Sequence, residues 1–135
     1  MNSARSIPIA LGLAVLVGGL ACGSDSGTNP TPGTATVSLA TPNADDGAVL
    51  VTLTGPGLAN PQAASSAYHT YFRLASANEL RVIVVGNLSA GALLTVGVGE
   101  VNHIGKYAGT VVEAASRMDQ LRSALTGYSL TFAGQ

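Results

Sequence analysis

Reactive side chains are few in this sequence, and its cysteine is unique. The 135 residues include one Cys, two His and no Trp. A single cysteine cannot form an intramolecular disulfide, and in an exported protein its free thiol would be open to oxidation. Cys22 is therefore a candidate for covalent modification, and we expect the folded part of the chain to be held together by packing alone.

The two histidines, His69 and His103, are the candidates for acid–base or metal chemistry. Glu100 and Asn102 lie beside His103, but zinc takes about four ligands, three of them from protein even in a catalytic site. Ser, His and Asp are all present, yet no Gly-x-Ser-x-Gly elbow accompanies them. We predict no catalytic site, metal or cofactor, and we interpret His103 as a solvated loop residue.

A polar cluster formed by Asn43, Asp45 and Asp46 offers the oxygen ligands that calcium prefers. The spacing of an EF-hand loop is absent, however. The same residue types are typical of a tight connection between strands, so we interpret the cluster as a turn.

Three residues that alternate along one predicted strand, His69, Tyr71 and Arg73, share a face of it. Two planar rings and a guanidinium on one face could contact a sugar or a protein partner. An ordinary polar strand surface explains the same pattern, and the absence of Trp argues against a strong carbohydrate platform. These residues form the predicted binding face.

An apolar leader precedes the cysteine. The 14 residues Ile7–Leu20 are apolar or glycine apart from Pro8, and they are shorter than the roughly 20 residues that a membrane-spanning helix needs. Arg5 before this run and Ala21 after it give the layout of a secretory signal peptide.

The stretch Gly19-Leu20-Ala21-Cys22 resembles the lipobox of bacterial lipoproteins, with Gly19 in place of the usual aliphatic residue. The resemblance implies that a diacylglyceryl group is attached to Cys22 and that the chain is cut just before it. It also favours the outer membrane over the inner one, because Gly23 and not Asp follows the cysteine. An ordinary secretory signal, with an incidental cysteine, is the alternative.

These observations divide the chain into three parts. Residues 1–21 are predicted to be a signal peptide, and residues 22–35 a lipidated, flexible tether, because the segment is rich in Gly, Ser, Thr, Asn and Pro. Residues 36–135 are predicted to form one domain.

The domain is predicted to be all-β. Only 10% of the residues are charged, and small and β-forming residues dominate, which favours short strands over surface helices. Thr36–Thr41 and Ala48–Thr54 alternate with period two, and we expect them to pair as a hairpin, with Val37, Leu39, Val49, Val51 and Leu53 on the core faces. In the third run, the core set is expected to be Tyr68, Thr70, Phe72 and Leu74.

The remaining segments complete a small antiparallel β-sandwich of about seven strands. Gly97 and Gly99, in a strand interior, indicate a bulge or close packing against another backbone. Residues 116–125 have apolar residues at helical spacing, so a short helical connection is predicted before the last strand, Tyr128–Phe132.

The order of these features is similar to that of cohesin-type sandwich modules. Val37–Leu39 opens the domain, Gly47–Val51 follows a turn, Tyr71–Leu74 precedes a further strand, and Gly91–Val96 resembles the family's Gly-x-Leu-x-x-Leu strand. The resemblance covers most of residues 36–101 and implies a sandwich. Cohesins bind a calcium-containing dockerin, but no residue here can be assigned to that binding surface.

The charge balance excludes a nucleic-acid partner. All of the basic residues except Arg5 follow Cys22, and they are outnumbered by the acidic ones without forming a basic cluster. We therefore expect a lipid-anchored bacterial cell-envelope protein that binds a protein or polysaccharide without catalysing a reaction. The alternatives are a small envelope hydrolase using His69 or His103 and a purely structural envelope protein.

Overall fold

The computed structural model describes residues 29–135, in which two four-stranded antiparallel sheets pack against each other. The all-β class and the sandwich arrangement confirm the sequence prediction, with eight strands in place of about seven. The strands are β1 (Gly33–Ala40), β2 (Asp46–Thr54), β3 (Ala59–Ala63), β4 (His69–Ser76), β5 (Glu79–Leu88), β6 (Gly91–Val98), β7 (Ala108–Ser116) and β8 (Ser129–Gly134).

The two sheets divide the strands in an order that sequence alternation alone does not reveal. Sheet A has the order β3-β6-β1-β8, and sheet B has the order β4-β5-β2-β7. The predicted hairpin of β1 with β2 is therefore wrong, because the two strands lie in different sheets. Their connection, residues 41–45, is longer than the two-residue loops that favour hairpins, and it crosses from one sheet to the other.

The core lies between the sheets and is built from alternate residues of the central strands. Successive side chains of a strand point to opposite faces, so each strand contributes every second residue. The predicted core faces of β1 and β2 are confirmed. The buried apolar side chains from the four central strands are Ala35, Val37, Leu39, Val49, Val51, Leu53, Leu80, Val82, Val84, Leu88, Leu93, Leu94, Val96 and Val98. Leu93 and Leu94 are consecutive because the register of β6 against β1 shifts at this point.

The predicted helical connection before the last strand is wrong. Within the described residues, the helical element is a 3₁₀ segment, Val101–Lys106, which precedes β7. After β7 the chain turns and adds an isolated pairing of Leu121 with Ala115, and the Arg122 amide donates to the Ala114 carbonyl at 2.8 Å. Met118 and Leu121 are exposed, so a helix here would have had no apolar partner to stabilise it.

The sandwich has two distinct ends. The 3₁₀ segment lies at the end where β1 begins and β6 finishes, which we call the 3₁₀ end. There the Val101 amide donates to the Thr31 carbonyl at 2.7 Å, and the Asn102 side-chain amide donates to the Asn29 carbonyl at 2.9 Å. Residues 29–31, which fall in the predicted tether, thus contact the sandwich, and β1 begins at Gly33, ahead of the predicted domain start at residue 36.

Gly97 in β6 and Gly99 just after it allow two backbones to approach closely, one of the two interpretations that the sequence offered. A Cβ on Gly97 would lie 3.1 Å from the Ala59 carbonyl oxygen, and one on Gly99 would lie 3.2 Å from that of Pro56. The Gly99 amide donates to the same Pro56 carbonyl at 3.1 Å. The two glycines thereby let β3 and the loop before it pack tightly on β6.

Candidate functional site

The solvent-facing side of sheet B, which we call the outer face, carries the predicted binding residues. Directly opposed residues of neighbouring strands point to the same side of a sheet, so the pairing register defines three rows across β4, β5, β2 and β7. The rows are His69-Val85-Ala48-Ala115, Tyr71-Ile83-Leu50-Glu113 and Arg73-Arg81-Thr52-Thr110.

The middle of the outer face is apolar although it faces solvent. Tyr71 is 64% exposed and Ile83 42% exposed. Two open grooves, of about 150 and 240 Å³, share Leu50 and Ile83 in their linings, the first extending to Leu121 and the second to Tyr71. Pockets for drug-sized ligands enclose roughly 300–1,000 Å³, so this surface fits a partner that lies across it better than a small molecule buried in it.

One row of the outer face concentrates positive charge. Arg73 lies directly opposite Arg81, an arrangement of like charges that destabilises a strand pair. The Arg81 Nε lies 3.3 Å from Glu79 Oε1, whereas Arg73 has no ion-pair partner among residues 29–135. An anionic group placed next to the apolar row would compensate this charge.

The structure brings His69, Tyr71 and Arg73 onto one exposed strand face, as the sequence predicted. The prediction that Phe72 and Leu74 belong to the core is wrong, however. Their backbone positions face the interior, opposite the buried Val82 and Leu80, yet they are 54% and 58% exposed. The opposing edge strand, β3, has only five residues and does not cover this part of β4.

Sequence reasoning missed a polar network at the end opposite the 3₁₀ segment. Asp46, the first residue of β2, is fully buried, and its carboxylate accepts hydrogen bonds from the Thr41 hydroxyl at 2.6 Å and the Tyr128 hydroxyl at 2.8 Å. Arg122 donates to the same carboxylate through Nε at 3.1 Å and through a terminal nitrogen at 2.8 Å. We call these four residues the Asp46 network.

The acidic residues of the turn, Asp45 and Asp46, both accept hydrogen bonds from Arg122. Arg122 donates a further hydrogen bond to Asp45 at 2.5 Å, which lowers the pKa of Asp45, and the two carboxylates together raise the pKa of Arg122. Asn43 donates to the Tyr128 hydroxyl at 2.8 Å. The acidic pair is thus engaged by a guanidinium, and it connects the turn to the chain between β7 and β8.

His103 lies in a second charged cluster, on the 3₁₀ segment. Its Nδ1 is 3.2 Å from Glu100 Oε2, an ion-pair distance for a protonated imidazole, although this ring nitrogen has no hydrogen-bond partner of acceptable geometry among the described residues. Lys106 donates to the same carboxylate, and this hydrogen bond lowers the pKa of Glu100. His69 lies on the outer face, so the structure does not bring the two histidines together.

Three findings concern metal ligands, membrane-spanning helices and the predicted lipidation site. No group of three or more potential metal ligands occurs in residues 29–135. Over the same range, no helix has the length and hydropathy needed to cross a bilayer. Cys22, the predicted lipidation site, lies outside the described residues.

Searches for similar proteins found no significant match among known protein families, curated proteins or solved structures.

Proposed function

We propose that this chain is a lipid-anchored interaction module of the bacterial cell envelope, which binds a protein or polysaccharide through the outer face of sheet B and catalyses no reaction. The observation that carries the binding part is the exposed apolar row from Tyr71 to Leu50, flanked by the unpaired Arg73. Aromatic and arginine side chains contribute most of the binding energy in many interfaces.

The outer face supports a binding role because it has two energetically unfavourable features that the fold itself does not need. Tyr71 and Ile83 expose apolar surface, and Arg73 and Arg81 repel each other. A partner with an apolar strip and an anionic group would remove both costs at once.

The anchoring part of the proposal is supported by the sequence. The short apolar leader, the lipobox-like stretch ending at Cys22 and the Gly23 that follows it favour a lipid on the thiol and a position at the outer membrane. A single acyl chain binds membranes only marginally, and a diacylglyceryl group supplies two chains.

The anchor is tested by mass spectrometry of the mature N-terminus and by membrane fractionation. We expect a mature chain that begins at an acylated Cys22, and we expect Cys22→Ser to abolish acylation and processing. A mature chain that starts elsewhere, or one without an acyl adduct, would contradict the anchor and leave the binding surface to be judged separately.

The binding surface is tested by capture from membranes and cell-wall polysaccharide of the native host. We expect Tyr71→Ser and Arg73→Ser each to reduce capture, because they remove an apolar contact and an unpaired charge from the outer face. Met118→Ser, at an exposed apolar residue outside the three rows, is the matched control. Equal capture by all three variants would exclude the outer face.

A small envelope hydrolase is the second candidate, and the observation that favours it is the proximity of His103 to Glu100. A carboxylate beside an imidazole can orient it as a general base. Hydrolysis of ester, peptide or glycoside substrates by the intact chain, abolished by His103→Asn and retained by His69→Asn, would favour this candidate over a pure binding module.

A further inference from the structure

The strand β4 is an edge strand of sheet B, and it is unusual in its free backbone edge and in its exposed side chains. Within residues 29–135 it pairs only with β5, so its other backbone edge has no strand beside it. The side chains on both of its faces are largely exposed, with Tyr71 on the outer face and Phe72 and Leu74 on the inner face. An exposed edge of this kind is a template for pairing with another strand.

The other three edge strands are less open to such pairing. β3 is short, contains Pro61 and has an irregular register against β6. β7 has register shifts against β2 and is flanked by the bridge to Leu121, and it contacts β8, the remaining edge strand, which has six residues and also contacts the 3₁₀ segment. β4 has eight residues without Pro or Lys, no charged residue on its inner face, and a register irregularity only at its last pairing, near Ser76.

We infer that β4 pairs antiparallel with β4 of a second copy of this chain, joining two copies of sheet B into one eight-stranded sheet. In such a symmetric antiparallel pair, side chains of the same face lie opposite each other. The twofold axis must therefore pass beside one residue of β4, which then lies opposite its own copy, and it cannot pass between two consecutive residues.

One axis position satisfies the side chains of β4 best. With Phe72 on the axis, the two Phe72 rings meet, and Thr70 lies opposite Leu74 of the second copy on the inner face. On the outer face, Arg73 lies opposite Tyr71 of the second copy, whose ring can stack on the guanidinium, which forms no ion pair with a carboxylate of residues 29–135. An axis at Arg73 would instead place two guanidiniums opposite each other.

A second copy is therefore the occupant that the charge pattern of β4 favours. The outer face of β4 carries one cation, Arg73, and one exposed phenol ring, Tyr71. In the antiparallel pair each Arg73 lies against Tyr71 of the other copy, so the contact forms twice. The contact is small, which corresponds to a weak and transient dimer in the range of interfaces below about 1,200 Å². The dimer uses Tyr71 and Arg73, which the proposed binding surface also uses, but its test requires neither the lipid anchor nor the ligand of the outer face.

Disulfide trapping tests both the pairing and its register. The full-length chain with Cys22→Ser has no other cysteine, so single cysteines on β4 report only on the proposed contact. Directly opposed Cβ atoms lie about 4.5–5.5 Å apart, near enough for a disulfide after a small adjustment. The test compares Phe72→Cys, Thr70→Cys and Leu74→Cys, with Met118→Cys as an exposed control away from β4.

We expect Phe72→Cys to give severalfold more disulfide-linked dimer than the other single variants under mild oxidation. Mixing Thr70→Cys chains with Leu74→Cys chains should restore the dimer, because these two positions face each other in the proposed register. Equal trapping of all variants, including the control, would indicate random collision and overturn the proposal.

Two further outcomes would also overturn it. If no variant is trapped and the backbone amides of β4 exchange slowly, another segment of the same chain covers this edge. No trapping with fast exchange would leave β4 open for a strand from a different protein.

Discussion

Removing the Tyr128 hydroxyl is the sharpest test of the Asp46 network. Tyr128→Phe keeps the ring and its packing but deletes a hydroxyl that donates to the Asp46 carboxylate and accepts from the Asn43 side chain. A hydrogen bond to a charged group contributes about 1.5–3 kcal/mol. Asp46 retains Thr41 and Arg122 as donors and is not left without partners, so we expect the lower part of that range, about 1.5–2 kcal/mol.

The assay is urea unfolding followed by circular dichroism. With an m-value of about 1–1.5 kcal/mol per molar urea, that loss lowers the midpoint by roughly 1–2 M without changing the slope. Tyr71→Phe is the matched control, because no hydrogen bond of the Tyr71 hydroxyl occurs among the described residues and its ring is exposed. A midpoint of Tyr128→Phe equal to that of Tyr71→Phe would refute the role assigned to the network.

Three further predictions concern stability. Tyr107→Phe should cost about 1–3 kcal/mol in urea unfolding, because the buried Tyr107 hydroxyl donates to the Pro56 carbonyl at 2.7 Å, and an effect within the error of the wild type would contradict this. Leu94→Ala should lower the free energy of unfolding by about 2–5 kcal/mol as a core truncation. Leu74→Ala should lower it far less, because Leu74 is largely exposed, and equal losses would place Leu74 in the core. Arg122 lowers the pKa of Asp45, so the contribution of Asp45 to stability is present above its ordinary pKa of 3.8 and is lost as pH falls through the lower folded-state value. We expect the urea midpoint to fall more steeply with acid in wild type than in Asp45→Asn, which leaves Asp46 with its Arg122 donor, and identical pH profiles would contradict this.

The fold class could be predicted from the sequence because strand alternation is a local signal. Val37 and Leu39 in β1, and Val49 and Val51 in β2, lie on the core faces that period two assigned to them. Which sheet each strand joins is not local. The strands β1 and β2 each bury one full face, and this condition is met equally well by a hairpin and by two strands facing each other across the core.

The errors on the helical connection and on the core residues of β4 have a common cause. Met118 and Leu121 have helical spacing, and Phe72 and Leu74 have strand spacing, but in the structure all four are exposed. Periodicity identifies the face that would be buried if a neighbour covered it. It carries no information on whether the opposing element, such as the short strand β3, is long enough to do so.

The candidate sites divide in the same way. The shared face of His69, Tyr71 and Arg73 follows from spacing along one strand and could be predicted. The Asp46 network could not, because Arg122 and Tyr128 are 76 and 82 residues away from Asp46 along the chain. The one local signal was the acidic pair after Pro42, which is equally typical of a solvated turn.

The position of β1 has a mechanical consequence. Any pull on the N-terminal side reaches β1 after the contacts of Thr31 and Asn29 with the 3₁₀ segment, and β1 lies between β6 and β8. Since ladder hydrogen bonds run perpendicular to antiparallel strands, a force along β1 loads the bonds on both of its sides in shear and all together. A strand at an edge would separate one bond at a time, so a domain pulled through the central strand β1 resists the force better than one pulled through an edge strand.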